Sequence, residues 1–180
     1  TVVTSFRNRP LVLSVSGETL MLFVFQAVTA FLTTYLVSVR GLSQGTAGAL
    51  LSVLFVGGAL SQTVTGRLAD RYGTPIVLTG VALVSTVPLA LVPSVEGLLP
   101  LAVVSGVIGI RMSAGPLANA YIVDTLPDAA EGTGWGLLRT AFFAVSSLGS
   151  TAVGLLADCG LFALAFYGLA GLTLLAAGVF

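Results

Sequence analysis

The sequence has no histidine, no lysine and one cysteine, and only 8% of its residues carry charge. Each shortage removes a class of chemistry. Without histidine there is no imidazole base or imidazole metal ligand. The lone thiol, Cys159, cannot build a thiol-rich metal site or an internal disulfide, and reads as an inert free cysteine near a helix end. No metal and no other cofactor is expected. The basic residues are all arginine, and their 7 charges balance 7 acids to a formal net charge of zero. They are scattered, so nucleic acid is not an expected partner. No nucleophile–base pair and no phosphate-cradling glycine loop is present, so the chain is not expected to be an enzyme or to use ATP directly.

The shortage of charge also fixes the solvent. A soluble domain carries about 25% charged residues. Here 56% of the residues are hydrophobic and the mean hydropathy is +1.07, so the outer surface must face lipid. A membrane helix needs about 20 mostly apolar residues, and six segments qualify: 11–39, 44–65, 75–93, 98–123, 134–157 and 161–180. The expected fold is an all-α membrane protein of six transmembrane helices, a single half-domain over residues 1–180. Pro88 and Pro116 fall inside helices and are expected to kink them, because each removes a backbone donor. No signal peptide is visible. The chain begins at Thr1 and ends inside an apolar run, and reads as a segment of a longer polypeptide.

Arginine placement sets orientation. Arg7, Arg9, Arg67 and Arg71 fall on one side, with Arg139 just inside the fifth helix on that side. Arg40, Glu96 and Asp158 fall on the other. Both termini are therefore expected in the cytoplasm. Arg139 reads as an anchor on that side, pairing with Asp124, Asp128 or Glu131.

Charges within a span are costly and face a cavity or a partner. At about 100° per residue, Glu18, Gln26, Thr29 and Thr33 fall within an arc of roughly 80° on the first helix, and Ser14 extends it. The bland alternative has the threonines bonding their own backbone. Arg111, Gly115 and Asn119 form a similar arc on the fourth helix. Glu18 lies about 12 Å beyond Pro10 and Arg111 about 20 Å beyond Leu98, at 1.5 Å per residue. Running in opposite directions through a core about 30 Å thick, the two helices bring both charges to one depth. Glu18 and Arg111 are expected to approach each other or to face a common aqueous space.

Between the second and third spans the chain reads Gly66-Arg-Leu-Ala-Asp-Arg-Tyr-Gly73, expected to be a short charged turn with Asp70 accepting from free amides at a helix amino terminus. Part of it recurs: Gly66-Arg-Leu-Ala-Asp70 is echoed by Gly154-Leu-Leu-Ala-Asp158 at the end of the fifth span. An odd number of helices separates the copies, so they lie on opposite membrane faces, as an inverted three-plus-three repeat requires.

The octet, with the helix count and charge placement, resembles the signature of the major facilitator superfamily of secondary transporters. That resemblance implies two six-helix halves with a substrate site between them, of which this chain is one. Phe6-Arg-Asn-Arg-Pro10 resembles the entry to a carboxy-terminal half. The resemblance also implies that the first and fourth helices line the central cavity, which makes Glu18, Gln26, Arg111 and Asn119 candidates for substrate or proton handling. It implies that Gly66, Arg67, Asp70, Arg71 and Gly73 latch one conformation through charge contacts to an acid closing the fourth helix, here Asp124. The fifth helix lacks the Gly-Pro pair often seen in the fifth helix of the amino-terminal halves of drug exporters, a departure from the drug-antiporter pattern.

The expected function is secondary active transport of a small solute by alternating access, coupled to an ion gradient such as protons, in the plasma membrane. The expected partners are the lipid bilayer, a small-molecule substrate and the other six-helix half. A non-transporting membrane assembly or scaffold protein is the alternative. It differs in showing no substrate-dependent change in helix accessibility.

Overall fold

A computed structural model describes residues 9–125 and 131–180. Arg7 and Asp128, named above, lie outside the described residues, as does the side chain of Glu131. The regular elements are all helical: α1 (Arg9–Ser38), α2 (Gln44–Tyr72), α3 (Thr74–Leu91), α4 (Leu98–Gly109), a 3-10 turn (Ile110–Ser113), α5 (Ala114–Thr125), α6 (Glu131–Asp158) and α7 (Phe162–Val179). Six are membrane-spanning in length and composition once α4, the 3-10 turn and α5 are counted as one span.

The fourth span is broken where the sequence suggests. Pro116 has no N–H to give to the carbonyl of Met112, four residues back. The chain tightens into the 3-10 turn on the amino-terminal side of that lost bond, and Arg111 sits in the turn. Pro88 lies inside α3.

The octet departs from expectation. Gly66–Tyr72 is not a loop but the last two turns of α2, and only Gly73, at φ 92°, breaks the helix before α3 starts at Thr74. Continuing the helix satisfies the backbone in its own bonds. A glycine at positive φ then suffices for the reversal. Asp70 accordingly sits in the carboxy-terminal turns of α2, and α3 begins without a side-chain cap. The other described connections between spans also turn on positive-φ glycines, Gly41, Gly97 and Gly160.

Many hydroxyls in the spans bond the carbonyl one turn back in their own helix, as Thr19 does to Val15, Thr29 to Phe25 and Ser85 to Val81. These bonds make polar side chains tolerable in lipid. In the stripe on α1, Thr29 thus follows the bland alternative.

Helices pack through small residues, because burying apolar surface gains little between lipid-solvated partners. The most extensive pairings are α1 with α6, α2 with α4, and α3 with α7. At Gly109 a β-carbon would overlap the carbonyl of Leu54, and at Gly149 it would overlap the carbonyl of Phe23. The α2–α4 and α1–α6 contacts are therefore backbone on backbone. The interior divides into two apolar clusters. One includes Val24, Leu54, Ile108 and Ala170, and the other Met21, Ala114, Ile122 and Ala176.

Candidate functional site

The boundary between those clusters is polar. Arg111 lies between Ile108 and Ala114 along the fourth span, and Thr173 between Ala170 and Ala176 on α7. Arg111 is 3% exposed. Its Nη1 donates to Thr173 Oγ1 at 3.2 Å, and its Nη2 donates to the Met21 carbonyl at 3.1 Å. Nη2 also reaches Met21 Sδ at 3.5 Å. Thr173 passes its own proton to the Leu169 carbonyl at 2.8 Å, which leaves its oxygen lone pairs for the guanidinium. One side chain thus joins three spans.

Glu18 stands one turn before Met21 on α1 and is likewise 3% exposed. It makes no ion pair with Arg111 among the described residues. Its Oε2 has no hydrogen-bond partner, and neither has Nε of Arg111. Both nonetheless line one cavity of about 140 Å³ with Met21, Phe25, Met112 and Gly115. Gly115 faces the carboxylate: a β-carbon there would stand in ordinary contact with Glu18 Oε1, at 3.6 Å. A buried carboxylate and guanidinium, each with an unused hydrogen-bonding atom, form a site able to accept a proton, a water or a small polar group.

The structure thus brings Glu18, Arg111 and Gly115 together and leaves the other candidates apart. Asn119 lies one turn beyond Gly115 on α5, half-buried, with Oδ1 unpartnered. Gln26 lies two turns along α1 from Glu18, half-buried and outside the cavity lining. Arg67, Asp70, Arg71 and Asp124 are all exposed, and neither arginine makes an ion pair with Asp124 among the described residues. Gly66 and Gly73 carry no side chain within reach of a β-carbon at either position. Arg139 is exposed and packs over Trp135 and Phe143 of its own helix, 6.0 and 5.6 Å from the ring centroids.

Sequence reasoning missed two members of the site. Met21 acts through its carbonyl, which any residue would offer. Thr173 is the one hydroxyl of α7 buried at the level of Arg111, and a polar residue in an otherwise apolar run was the available signal.

Sequence reasoning also missed a second arginine cluster at the far end of the bundle. Arg40 follows α1, and its Nη2 donates to the carbonyls of Val92 and Pro93 at 3.0 and 2.7 Å, capping the end of α3. Its Nε donates to Tyr35 Oη at 2.9 Å. Tyr35 in turn packs edge-on against Phe166 of α7, 4.9 Å between centroids.

Residues 6–180 match the Major Facilitator Superfamily. Among curated proteins the chain is 31% identical over 111 residues to Multidrug resistance protein MdtG of Salmonella typhi, a match covering 62% of this chain and 28% of that protein. The same identity over the same length relates it to Multidrug resistance protein MdtG of Dickeya zeae, covering 27% of the relative, and of Salmonella arizonae, covering 28%. The match therefore spans less than a third of each relative's length.

Proposed function

From the premise that the chain belongs to the major facilitator superfamily, we propose that it forms one six-helix half of a secondary active transporter. In this reading it moves a small solute by alternating access, with a second six-helix half completing the cavity and a proton gradient driving the cycle. The observation that carries the reading is the buried Glu18–Arg111 pair, in which each group keeps an unused hydrogen-bonding atom on a shared cavity between the first and fourth spans.

A purely structural ion pair would bring its charges into direct contact, because desolvation is offset only by good geometry. Here the Nη1 and Nη2 groups of Arg111 donate to Thr173 and Met21 and not to the carboxylate. That arrangement leaves the carboxylate available for a proton or a solute. A proton suits the site better than a metal cation, because the cavity offers few oxygen ligands and already holds a guanidinium.

The pairing of helices supports an inverted repeat. If spans one to three correspond to spans four to six, the contact of span one with span five maps onto that of span four with span two. These are two of the three most extensive pairings, and the third, span three with span six, maps onto itself. Both mapped pairs use a glycine against a backbone carbonyl.

We place the chain in the plasma membrane with both termini in the cytoplasm, on the arginine distribution. The exposed arginines and Asp70 at the end of α2 serve in this reading as a latch to Asp124 in another conformation. The relatives' name makes drug-like solutes the first substrate class to test.

The deciding experiment expresses the full-length parent in proteoliposomes and follows solute flux with and without a proton gradient. Gradient-driven flux that Glu18→Gln abolishes, while the protein still elutes as a monodisperse species, supports the reading. Flux unchanged by Glu18→Gln removes it.

A further inference from the structure

Away from the polar site, α2 and α3 enclose a groove with about 680 Å³ of space. Its floor is the close contact of α2 with α4, where Gly57 meets Gly106. Its walls are apolar, with Leu60 and Val64 on α2 and Ile76 and Val84 on α3, all well exposed. The serine and threonine hydroxyls that line it are already used. Ser61 bonds the Gly58 carbonyl at 2.7 Å and Thr65 the Ser61 carbonyl at 2.9 Å. The groove therefore presents almost nothing to a polar solute. Left empty in a membrane, a space of this size would forfeit dispersion contacts along its whole length.

The groove has a direction. Along α2 it runs from Gly57 to Tyr72, about 22 Å at 1.5 Å per residue, more than the roughly 15 Å of one leaflet's hydrocarbon. It ends at the helix terminus that carries Arg67 and Arg71. Counting about 100° per residue, Arg71 points about 60° from the middle of the groove-lining face and Arg67 about 100°, whereas Asp70 points about 160° away. The Arg71 guanidinium lies 5.2 Å from the ring centroid of Tyr72, itself a lining residue. The mouth thus has cations beside it and its nearest acid on the opposite face.

We propose that this groove holds one acyl chain of an anionic phospholipid from the surrounding bilayer, with the phosphate at Arg67 and Arg71. Basic sites at the ends of membrane helices attract anionic head groups, and the walls supply a trough for a tail. The lipid would lie between α2 and α3 and fill the space they leave.

The structure also provides a plug. A β-carbon at Gly80, on the α3 wall, meets nothing within 4 Å, so a larger side chain there enters the trough rather than the core. The test uses the delipidated full-length parent, titrated with phosphatidylglycerol or phosphatidylcholine and read by native mass spectrometry. Wild type is expected to prefer phosphatidylglycerol. Gly80→Phe is expected to weaken both lipids by about tenfold, the equivalent of roughly two displaced methylenes. Arg67→Gln and Arg71→Gln are each expected to cut the preference for phosphatidylglycerol by about fivefold, with a smaller loss of phosphatidylcholine, whose choline cation offsets its phosphate charge.

Equal binding of the two lipids by wild type overturns the proposal. So does a Gly80→Phe protein that binds as wild type does, or a cross-link from a cysteine at Ile76 to another segment of the parent, which would show protein covering the groove. If Gly80→Phe does not fold, the wild-type preference and the arginine variants still decide the question.

Discussion

Arg111 donates to the main-chain carbonyl of Met21 at 3.1 Å, not to the carboxylate of Glu18 one turn earlier on the same helix. The consequence is a division of labour. The guanidinium is held by α1 and α7, and the carboxylate is held by neither.

Substitutions should therefore separate at this site. Glu18→Gln keeps the size and a hydrogen-bonding group, so the protein should fold, with its melting temperature close to wild type, while gradient-driven flux is lost. Arg111→Lys replaces a planar fork with a point charge that cannot reach Thr173 and Met21 together. It should lower stability by about 1.5–3 kcal/mol, the range for hydrogen bonds to charged groups. Unfolding in a graded detergent denaturant reads both. Equal destabilisation by the two variants would contradict the division of labour.

Thr173→Val tests the weakest link of the same network. The valine fills the same volume and removes the acceptor for Nη1, along with the hydroxyl's own bond to the Leu169 carbonyl within α7. Hydrogen bonds between membrane helices average about 0.6 kcal/mol and reach about 1.7, so the loss should fall within that range. A double-mutant cycle of Thr173→Val with Arg111→Lys should show clear coupling, because both changes break one bond. Strict additivity would mean that the hydroxyl does not hold the guanidinium.

The glycines sort into two groups by what a methyl would meet. Gly109→Ala and Gly149→Ala each drive a β-carbon into a backbone carbonyl on the neighbouring helix. Overpacking of this kind costs about 1–3 kcal/mol. Gly48→Ala meets nothing within 4 Å and should be neutral or stabilise by up to about 1 kcal/mol, because alanine favours helix. Thermal melts of the three variants in one detergent give the comparison. A Gly149→Ala protein as stable as Gly48→Ala would argue against close contact between α1 and α6.

How much of this was legible in the sequence follows from the range of each signal. Hydropathy is local and cumulative, so six spans and an all-helical fold could be read from composition alone. Glu18 and Arg111 stood out because a charge in a long apolar run is conspicuous whatever its partner. Their common depth followed from helix rise and the alternation of direction. The octet misled because glycine, aspartate and arginine favour turns locally, whereas the backbone keeps its helical bonds until a residue at positive φ releases them. Tertiary partners were invisible for a different reason. Met21 offers a carbonyl, Arg40 reaches more than 50 residues ahead to the end of α3, and neither act leaves a pattern in the chain.

The cluster around Arg40 predicts strong coupling. Tyr35→Phe removes the hydroxyl that accepts from Nε and donates to the Val92 carbonyl at 3.4 Å. Arg40→Gln removes the cap on α3. Each alone should cost about 1–3 kcal/mol, and the double variant should cost less than their sum, because the residues act as one unit. Hydrogen exchange at Val92–Val95 should rise in Arg40→Gln, where the freed carbonyls loosen the end of α3. Unchanged exchange there would show that the cap is dispensable.

Orientation can be decided with the chain's own thiol. Cys159 is its single cysteine and is exposed. It lies in the turn between α6 and α7, at the opposite end of the bundle from Arg67 and Arg71 if consecutive spans are antiparallel. With the termini in the cytoplasm, a membrane-impermeant maleimide added to intact cells should label Cys159, in a parent otherwise stripped of cysteine. Moving the thiol, as Cys159→Ser with Tyr72→Cys, should abolish labelling until the cells are opened, because Tyr72 is exposed beside the cytoplasmic arginines. The reversed pattern would invert the topology. It would set the arginine asymmetry aside as a guide to orientation, and it would move the proposed phospholipid from the inner leaflet to the outer one.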